Sequence, residues 1–189
     1  IINNCVNNGE IEGDTVAGII GNSSGNLKLS DCENNGAING RYSAGGIAQC
    51  IENKNSNEAV VSNCINNGNV FGGEEAAGII DYAEGITVTN CINNGNISSN
   101  GYVGGIFSYT SSVKGTGLVN NGKISGLEDI GGISAYDEGN SIFSKLYNTG
   151  VIDEENIGAQ VSNLVKLGES STGEELEEEH KHDYVALST

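Results

Sequence analysis

The chain has 189 residues and a formal net charge of −17, with 29 glycines but no proline, methionine or tryptophan. Its excess of acid argues against nucleic acid as a partner, because phosphates are bound by Lys and Arg, of which there are only eight. Aromatic residues make up 5% of the chain, so small residues and Ile must fill the core. No apolar run is long enough to predict membrane insertion.

One octet recurs along the chain, and its clearest copy is Asn-Cys-Ile-Asn-Asn-Gly-Asn-Ile at residues 90–97. The anchor of each copy is Cys or Leu, and the anchors are Cys5, Cys32, Cys64, Cys91, Leu118 and Leu146. Asn follows the anchor after two positions and Gly after four, in all six copies. Ile or Val follows after six and after fifteen positions, the latter site being Ile20 in the first copy. A period held in this way indicates a repeat protein.

The repeat contains no apolar stripe of helical period, but three short β-like pieces separated by Gly and Asn. It therefore predicts an all-β protein, a right-handed parallel β-helix (solenoid) of about six coils of about 27 residues, with three short strands per coil. The Asn two positions after the anchor is interpreted as an internal ladder of amides. The alternative, a polar ligand site, is the less common use of such an Asn. The Gly four positions after the anchor is expected at a corner of the coil, where φ is positive.

The cysteines are interpreted as free thiols in the core, because Leu118 and Leu146 occupy the same site as the four anchor cysteines. Their spacing lacks the paired Cys-x-x-Cys of a zinc site. Cys50 lies off the ladder and is expected to be unpaired as well. No metal site and no cofactor is predicted, although calcium binding by surface carboxylates is left open.

Two features are candidates for binding. Tyr82, Tyr109 and Tyr136 are 27 residues apart and should form a stripe, with Ser23 and Cys50 in the earlier places. If exposed, this stripe is a candidate ligand-binding site for sugar rings; if half-buried, it closes the core at a corner. The second repeat is five residues longer than its neighbours, and its polar segment, residues 52–58, is either a binding loop or a tolerated surface loop.

The solenoid is predicted to cover residues 1–167. Residues 168–189 form an acidic linker or tail that is expected to lead into a module absent from this fragment. The tail carries His180 and His182, whose spacing alone is weak evidence for a metal.

The pattern Asn-Cys-x-Asn-Asn-Gly-x-Ile, combined with a Gly-Gly-Ile element such as Gly104-Gly105-Ile106, resembles the GLUG-type repeats of bacterial surface proteins. The resemblance covers residues 1 to about 165. It implies a β-solenoid in a secreted or cell-surface protein of adhesin type. The aromatic residue that usually follows the Cys in this family is present here only as Tyr147.

These observations predict that the chain is a non-catalytic structural or adhesive module. It would be a stiff and monomeric spacer that contacts carbohydrate or a host surface protein. The alternative is a polysaccharide lyase or hydrolase, since solenoids also carry such enzymes. Its candidate residues are Glu84 and Glu138, which fall two coils apart at about 9.6 Å, together with Arg41, the only Arg in the chain.

Overall fold

The computed structural model describes residues 1–53, 59–154, 160–162 and 165–167. Within these residues the chain is all-β, and every strand pairing is parallel. The strands form three sheets, one along each side of the solenoid. They are called here face 1, face 2 and face 3 in chain order, and they have 10, 10 and 6 strands. Each successive coil adds a strand or a pair of short strands to each face, so the predicted parallel β-helix is confirmed.

The strand bounds follow the chain around the three faces. Face 1 consists of Ile2–Asn3, Val6–Asn7, Lys28–Ser30, Glu33–Asn34, Val60–Ser62, Ile65–Asn66, Thr87–Thr89, Ile92–Asn93, Lys114–Asn120 and Ile142–Asn148. Face 2 consists of Ile11–Ala17, Ile38–Gly45, Val70–Gly72, Glu75–Ala77, Ile97–Ser99, Tyr102–Gly104, Ile124–Gly126, Asp129–Gly131, Ile152–Glu154 and Gln160–Ser162. Face 3 consists of Ile20–Ser24, Ala48–Glu52, Ile80–Glu84, Phe107–Ser111, Ser134–Asp137 and Val165–Leu167.

The register follows the sequence repeat. One residue of each coil, called here a rung, occupies the same register position on face 1. Each rung pairs with the rung of the next coil, in the order Ile2, Leu29, Val61, Val88, Gly115 and Phe143. Within the described residues this gives five complete turns followed by part of a sixth. Coils one to six are numbered here from these rungs. Many coils carry more than the three strands predicted, because faces 1 and 2 are each broken by a corner into two short segments.

The residue that precedes each anchor turns the chain on face 1. It has a positive φ in every coil, at Asn4, Asp31, Asn63, Asn90, Gly117 and Lys145. The Gly that follows four positions after the anchor lies at the bend between faces 1 and 2, as predicted, but its φ is not positive, so only the expected backbone conformation was wrong. It is needed because a Cβ at Gly95 would overlap the carbonyl oxygen of Gly68 in the preceding coil. Glycine there permits close stacking of the coils.

Two apolar clusters fill the solenoid. The larger contains the anchors and the stacked Ile47, Ile79, Ile106 and Ile133, and the smaller contains Ile38, Val70, Ile97 and Ile124 with their face 2 neighbours. An unbroken ladder of amides runs through the coils, in which each Asn Nδ2 donates to Oδ1 of the next Asn at 2.7–2.8 Å, from Asn7 through Asn34, Asn66, Asn93 and Asn120 to Asn148. The predicted internal Asn ladder is therefore confirmed.

The same Asn side chains explain the Gly pairs. A Cβ at Gly78 would overlap the side chain of Asn93 and the backbone oxygen of Gly105. From Asn7 to Asn120 each ladder amide also donates to a carbonyl within its own coil, as Asn93 does to Gly95 at 2.8 Å. Among the described residues, every buried side-chain nitrogen and oxygen has a hydrogen-bond partner. Such complete pairing removes the cost that buried amides otherwise carry.

The five cysteines are free thiols, as predicted, and all except Cys5 are buried. Burial raises the pKa of the Cys32 thiol to about 11. Each anchor thiol donates to the backbone oxygen two residues earlier, as Cys91 does to Thr89 at 3.4 Å.

The insertion in the second repeat falls between Asn53 and Ala59. These two residues stack against Gly85 and Ile86, which are consecutive in the next coil. The inserted residues 54–58, and with them most of the predicted loop, lie outside the described residues, as does the tail 168–189. Among the described residues, no helix is long and apolar enough to cross a membrane.

Candidate functional site

The three tyrosines predicted as a stripe form a stacked column on face 3. Their strands are in register, with Tyr82 beside Tyr109 and Tyr109 beside Tyr136. The ring centroids are 4.8 Å and 5.4 Å apart, and the interplanar angles are 5° and 22°. This Tyr column is partly buried, which corresponds to the half-buried alternative that the sequence left open.

The earlier places of the column are held by Asn22 and Cys50. Ser23 was predicted for the first of them and lies one residue further on, next to Ile51. The reason is a register shift in coil one, where Asp14 alone faces the two corner residues Arg41 and Tyr42. For the same reason Ile19 occupies the predicted place of Ile20, since both residues donate their N–H to Ile47.

The stacking decides which part of each ring a ligand can reach. Tyr109 has a neighbouring ring on each of its faces, so a ligand could contact only its edge or its hydroxyl group. The Tyr82 hydroxyl donates to Glu84 Oε2 at 3.1 Å. Burial, supported by this carboxylate, raises the pKa of Tyr82 to about 12. Burial and a hydrogen bond to Glu138 raise the pKa of Tyr109. Both phenols are therefore protonated donors near neutral pH.

A buried carboxyl group lies next to the Tyr column, and the sequence reasoning missed it. Asp81 has no exposed surface, and its Oδ2 accepts hydrogen bonds from Ser43 at 2.7 Å and from Gln49 at 3.3 Å. Its Oδ1 accepts one from Ser108. Burial raises the pKa of Asp81, which these hydrogen bonds partly offset. The group thus joins three successive coils between faces 2 and 3.

A second carboxyl group completes this acidic cluster. Glu75 stacks between Ser43 and Tyr102 on face 2. Burial, with the nearby charges of Asp81 and Glu74, raises the pKa of Glu75 to about 7. The sequence signal was a charged residue directly after the inward Ile79-Ile80 pair, where coils two and four have Gln49 and Ser108. A lone substitution in one coil does not identify its partners, so only the structure could show the cluster.

The residues of the alternative enzyme site are placed on different parts of the solenoid. Glu84 ends a strand of face 3, and Glu138 follows the equivalent strand two coils further on. Arg41 lies at a corner within face 2, where it pairs with Asp14 at 3.1 Å and stacks on Tyr42. No group of three or more His, Cys, Asp or Glu in the described part of the chain is arranged to hold a metal ion. His180 and His182 fall in the undescribed tail.

Comparison with protein-family models, with curated proteins and with solved structures found no match.

Proposed function

We propose that this chain is a non-catalytic structural and adhesive module, a stiff monomeric spacer in a bacterial surface protein. The observation that carries the proposal is the buried Asn ladder, which passes without a break from Asn7 to Asn148. Such a ladder ties each coil to the next through a side chain as well as the backbone. A repeat array connected in this way resists bending along its axis, as a spacer must.

Hydrogen exchange tests the spacer role. Amides of coils two to five should exchange slowly and to a similar degree, because their opening requires separation of stacked coils. Rapid exchange in the middle of the array would contradict a stiff spacer. Sedimentation velocity over a range of concentrations tests the monomeric state.

The resemblance to GLUG-type repeats supports the cellular location. Under this proposal the chain is secreted or attached to the cell surface, where an adhesin-type protein meets host proteins or glycans. Antibodies raised against residues 1–153 should label intact cells of the source bacterium. Labelling only after lysis would rule out the surface location.

The Tyr column supports carbohydrate contact by hydrogen bonding rather than by ring stacking. The Tyr82 hydroxyl and the Glu84 carboxylate form a polar edge, and sugar hydroxyls pair well with such groups. A glycan array tests this site, and a signal that Tyr109→Ala lowers would assign the carbohydrate contact to the Tyr column. If no glycan on the array binds the chain, the Tyr column is not a carbohydrate-binding site.

A polysaccharide lyase or hydrolase is the second candidate, and one observation favours it. The pKa of Glu75 is raised to about 7, which is the range of a general acid in glycoside cleavage. Incubation with a polysaccharide panel should release no new reducing ends or unsaturated sugars if the module is non-catalytic. Release that is lost in Glu75→Gln would favour the enzyme instead.

A further inference from the structure

The outer surface of face 1 differs in charge from the rest of the molecule. The chain carries 25 acidic residues, yet residues 59–73, 85–127 and 139–152 contain none. These ranges include every face 1 strand of coils three to six. The acids of the same coils, such as Glu75, Glu84 and Glu138, lie on faces 2 and 3 or at their corners. In a chain with a net charge of −17, face 1 carries only lysines as charged groups in these coils.

Face 1 also carries an exposed column of amides beside the buried ladder. Asn35, Asn67, Asn94 and Asn121 each donate to Oδ1 of the Asn one coil earlier, at 2.8–3.0 Å. Within this column Asn94 donates one hydrogen bond through its amide N–H₂ and accepts one through its amide oxygen. A second exposed column, Asn69 and Asn96, accepts a backbone N–H from the next coil at 3.1 Å. Amide groups are therefore held toward solvent in coils one to five.

An aliphatic column runs parallel to the amides. Ile65, Ile92 and Val119 pair in register, face outward and are only partly buried. On the far side of this column, Ser62, Thr89 and Thr116 form a column of hydroxyl-bearing residues. In coils three to five the surface thus repeats hydroxyl, aliphatic and amide groups, at the strand spacing of about 4.8 Å.

We infer that this outer surface of face 1 binds an extended, uncharged polysaccharide along the axis of the solenoid. A sugar ring offers C–H groups to an aliphatic side chain and hydroxyls to amides on either side, and successive rings of an extended β-linked chain advance by a distance similar to the coil spacing. In coils three to six this surface has no acid and no cluster of Lys, which fits an uncharged partner; Glu33 occupies the aliphatic column in coil two, so the binding surface begins at coil three. The inference rests on the proposed adhesive role and places the carbohydrate contact on face 1 rather than on the Tyr column.

A second copy of the chain fits this surface less well. Two such faces packed together would bury their amide and hydroxyl columns at fixed positions, and buried polar groups without partners are costly. A sugar chain brings a donor and an acceptor on each hydroxyl and leaves part of the surface hydrated. The polar columns therefore favour a glycan over self-association.

Co-sedimentation of the 189-residue chain with insoluble cellulose, chitin and β-1,3-glucan tests the inference. The chain should bind at least one of them saturably. Ile92→Glu, which places a charge in the aliphatic column, should weaken binding about tenfold or more. Asn94→Asp changes one amide to a carboxylate with almost no change in shape and should weaken it as well. Circular dichroism and thermal unfolding verify that both variants fold.

Two control variants separate the outcomes. Phe71→Glu adds the same charge at an exposed position on face 2 and should leave binding unchanged. Loss of binding in Tyr109→Ala alone would overturn the face 1 assignment while retaining an adhesive role. No binding to any of these three uncharged polysaccharides, or a dimer that Ile92→Glu dissociates, would each overturn the inference. The exchange test of the spacer is independent of all these results.

Discussion

At the scale of single residues, two Asn side chains that are adjacent in sequence have opposite surroundings. Asn93 is buried and bonds to Asn66, Asn120 and Gly95, whereas Asn94 is exposed and bonds within the outer column. We expect Asn93→Ala to lower the free energy of unfolding by about 3 kcal/mol, because it leaves buried groups of three residues without partners. Asn94→Ala should cost less than about 1 kcal/mol. Urea unfolding measures both, and equal losses would contradict the structural role of the buried ladder.

The carboxyl cluster at Glu75 and Asp81 predicts that stability falls as the pH rises. Both pKa values are raised in the folded chain, so the folded state binds protons more tightly than the unfolded state. The stabilising contribution of Glu75 is complete below its unfolded pKa of about 4.3, and it is lost as the pH passes the folded value of about 7. Thermal unfolding should therefore occur at a higher temperature at pH 5 than at pH 8.

Glu75→Gln identifies the source of this dependence. The variant should raise the unfolding temperature at pH 8 and flatten the profile between pH 5 and pH 8. Glu128→Gln removes one acid at an exposed position and controls for the change in net charge. An identical effect from both variants would assign the dependence to overall repulsion instead.

At the scale of the coil, the glycines show what the sequence could and could not reveal. The spacing located Gly95 and its equivalents, but a spacing does not distinguish a positive φ from close stacking. Asn90 makes the turn, and Gly95 allows the approach of Gly68. We expect Gly95→Ala to destabilise the chain by about 3 kcal/mol, since the overlap is with backbone that cannot move freely. Gly21→Ala, where an added Cβ meets nothing within 4 Å, is the control and should be nearly neutral.

Other features of the site could not be predicted from the sequence, and the reasons are physical. The period placed Tyr82, Tyr109 and Tyr136 in one column, because identical spacing forces identical positions in the coil. It could not show that their faces cover one another, since that depends on side-chain rotamers. The partners of Asp81 come from three coils, at Ser43, Gln49 and Ser108, and no periodic pattern connects them. The shift at Asp14 was hidden because coil one keeps the overall spacing of 27 residues.

The insertion between Asn53 and Ala59 permits a test at the same scale. Because the next coil passes directly from Gly85 to Ile86, deletion of residues 54–58 should preserve the fold. Stability should remain equal or rise slightly, since the closure entropy of the loop is removed. Circular dichroism and urea unfolding measure the result. A large loss of stability would mean that the inserted residues take part in the core.

At the scale of the whole molecule, the solenoid is a stack in which each coil contacts only its neighbours. In the 189-residue chain coil one stacks on coil two, and Ile1 and Val6 are 92% and 55% exposed there. In such a stack, local opening starts where fewest contacts must break, so the terminal coil should open first. The anchor cysteines provide one thiol in each of coils one to four and can report this order.

We therefore expect a thiol reagent to label the anchors in a graded order under native conditions. Cys5 should react first, then Cys32, while Cys64 and Cys91, which are fully buried, should react last. Peptide mapping by mass spectrometry measures each rate, and the rates in denaturant correct for intrinsic reactivity. This correction is needed because the contact with Cys64 and burial raise the pKa of Cys91. Equal corrected rates at all four anchors would mean that the coils open together, and the description of the molecule as a stack of separately opening coils would then be wrong.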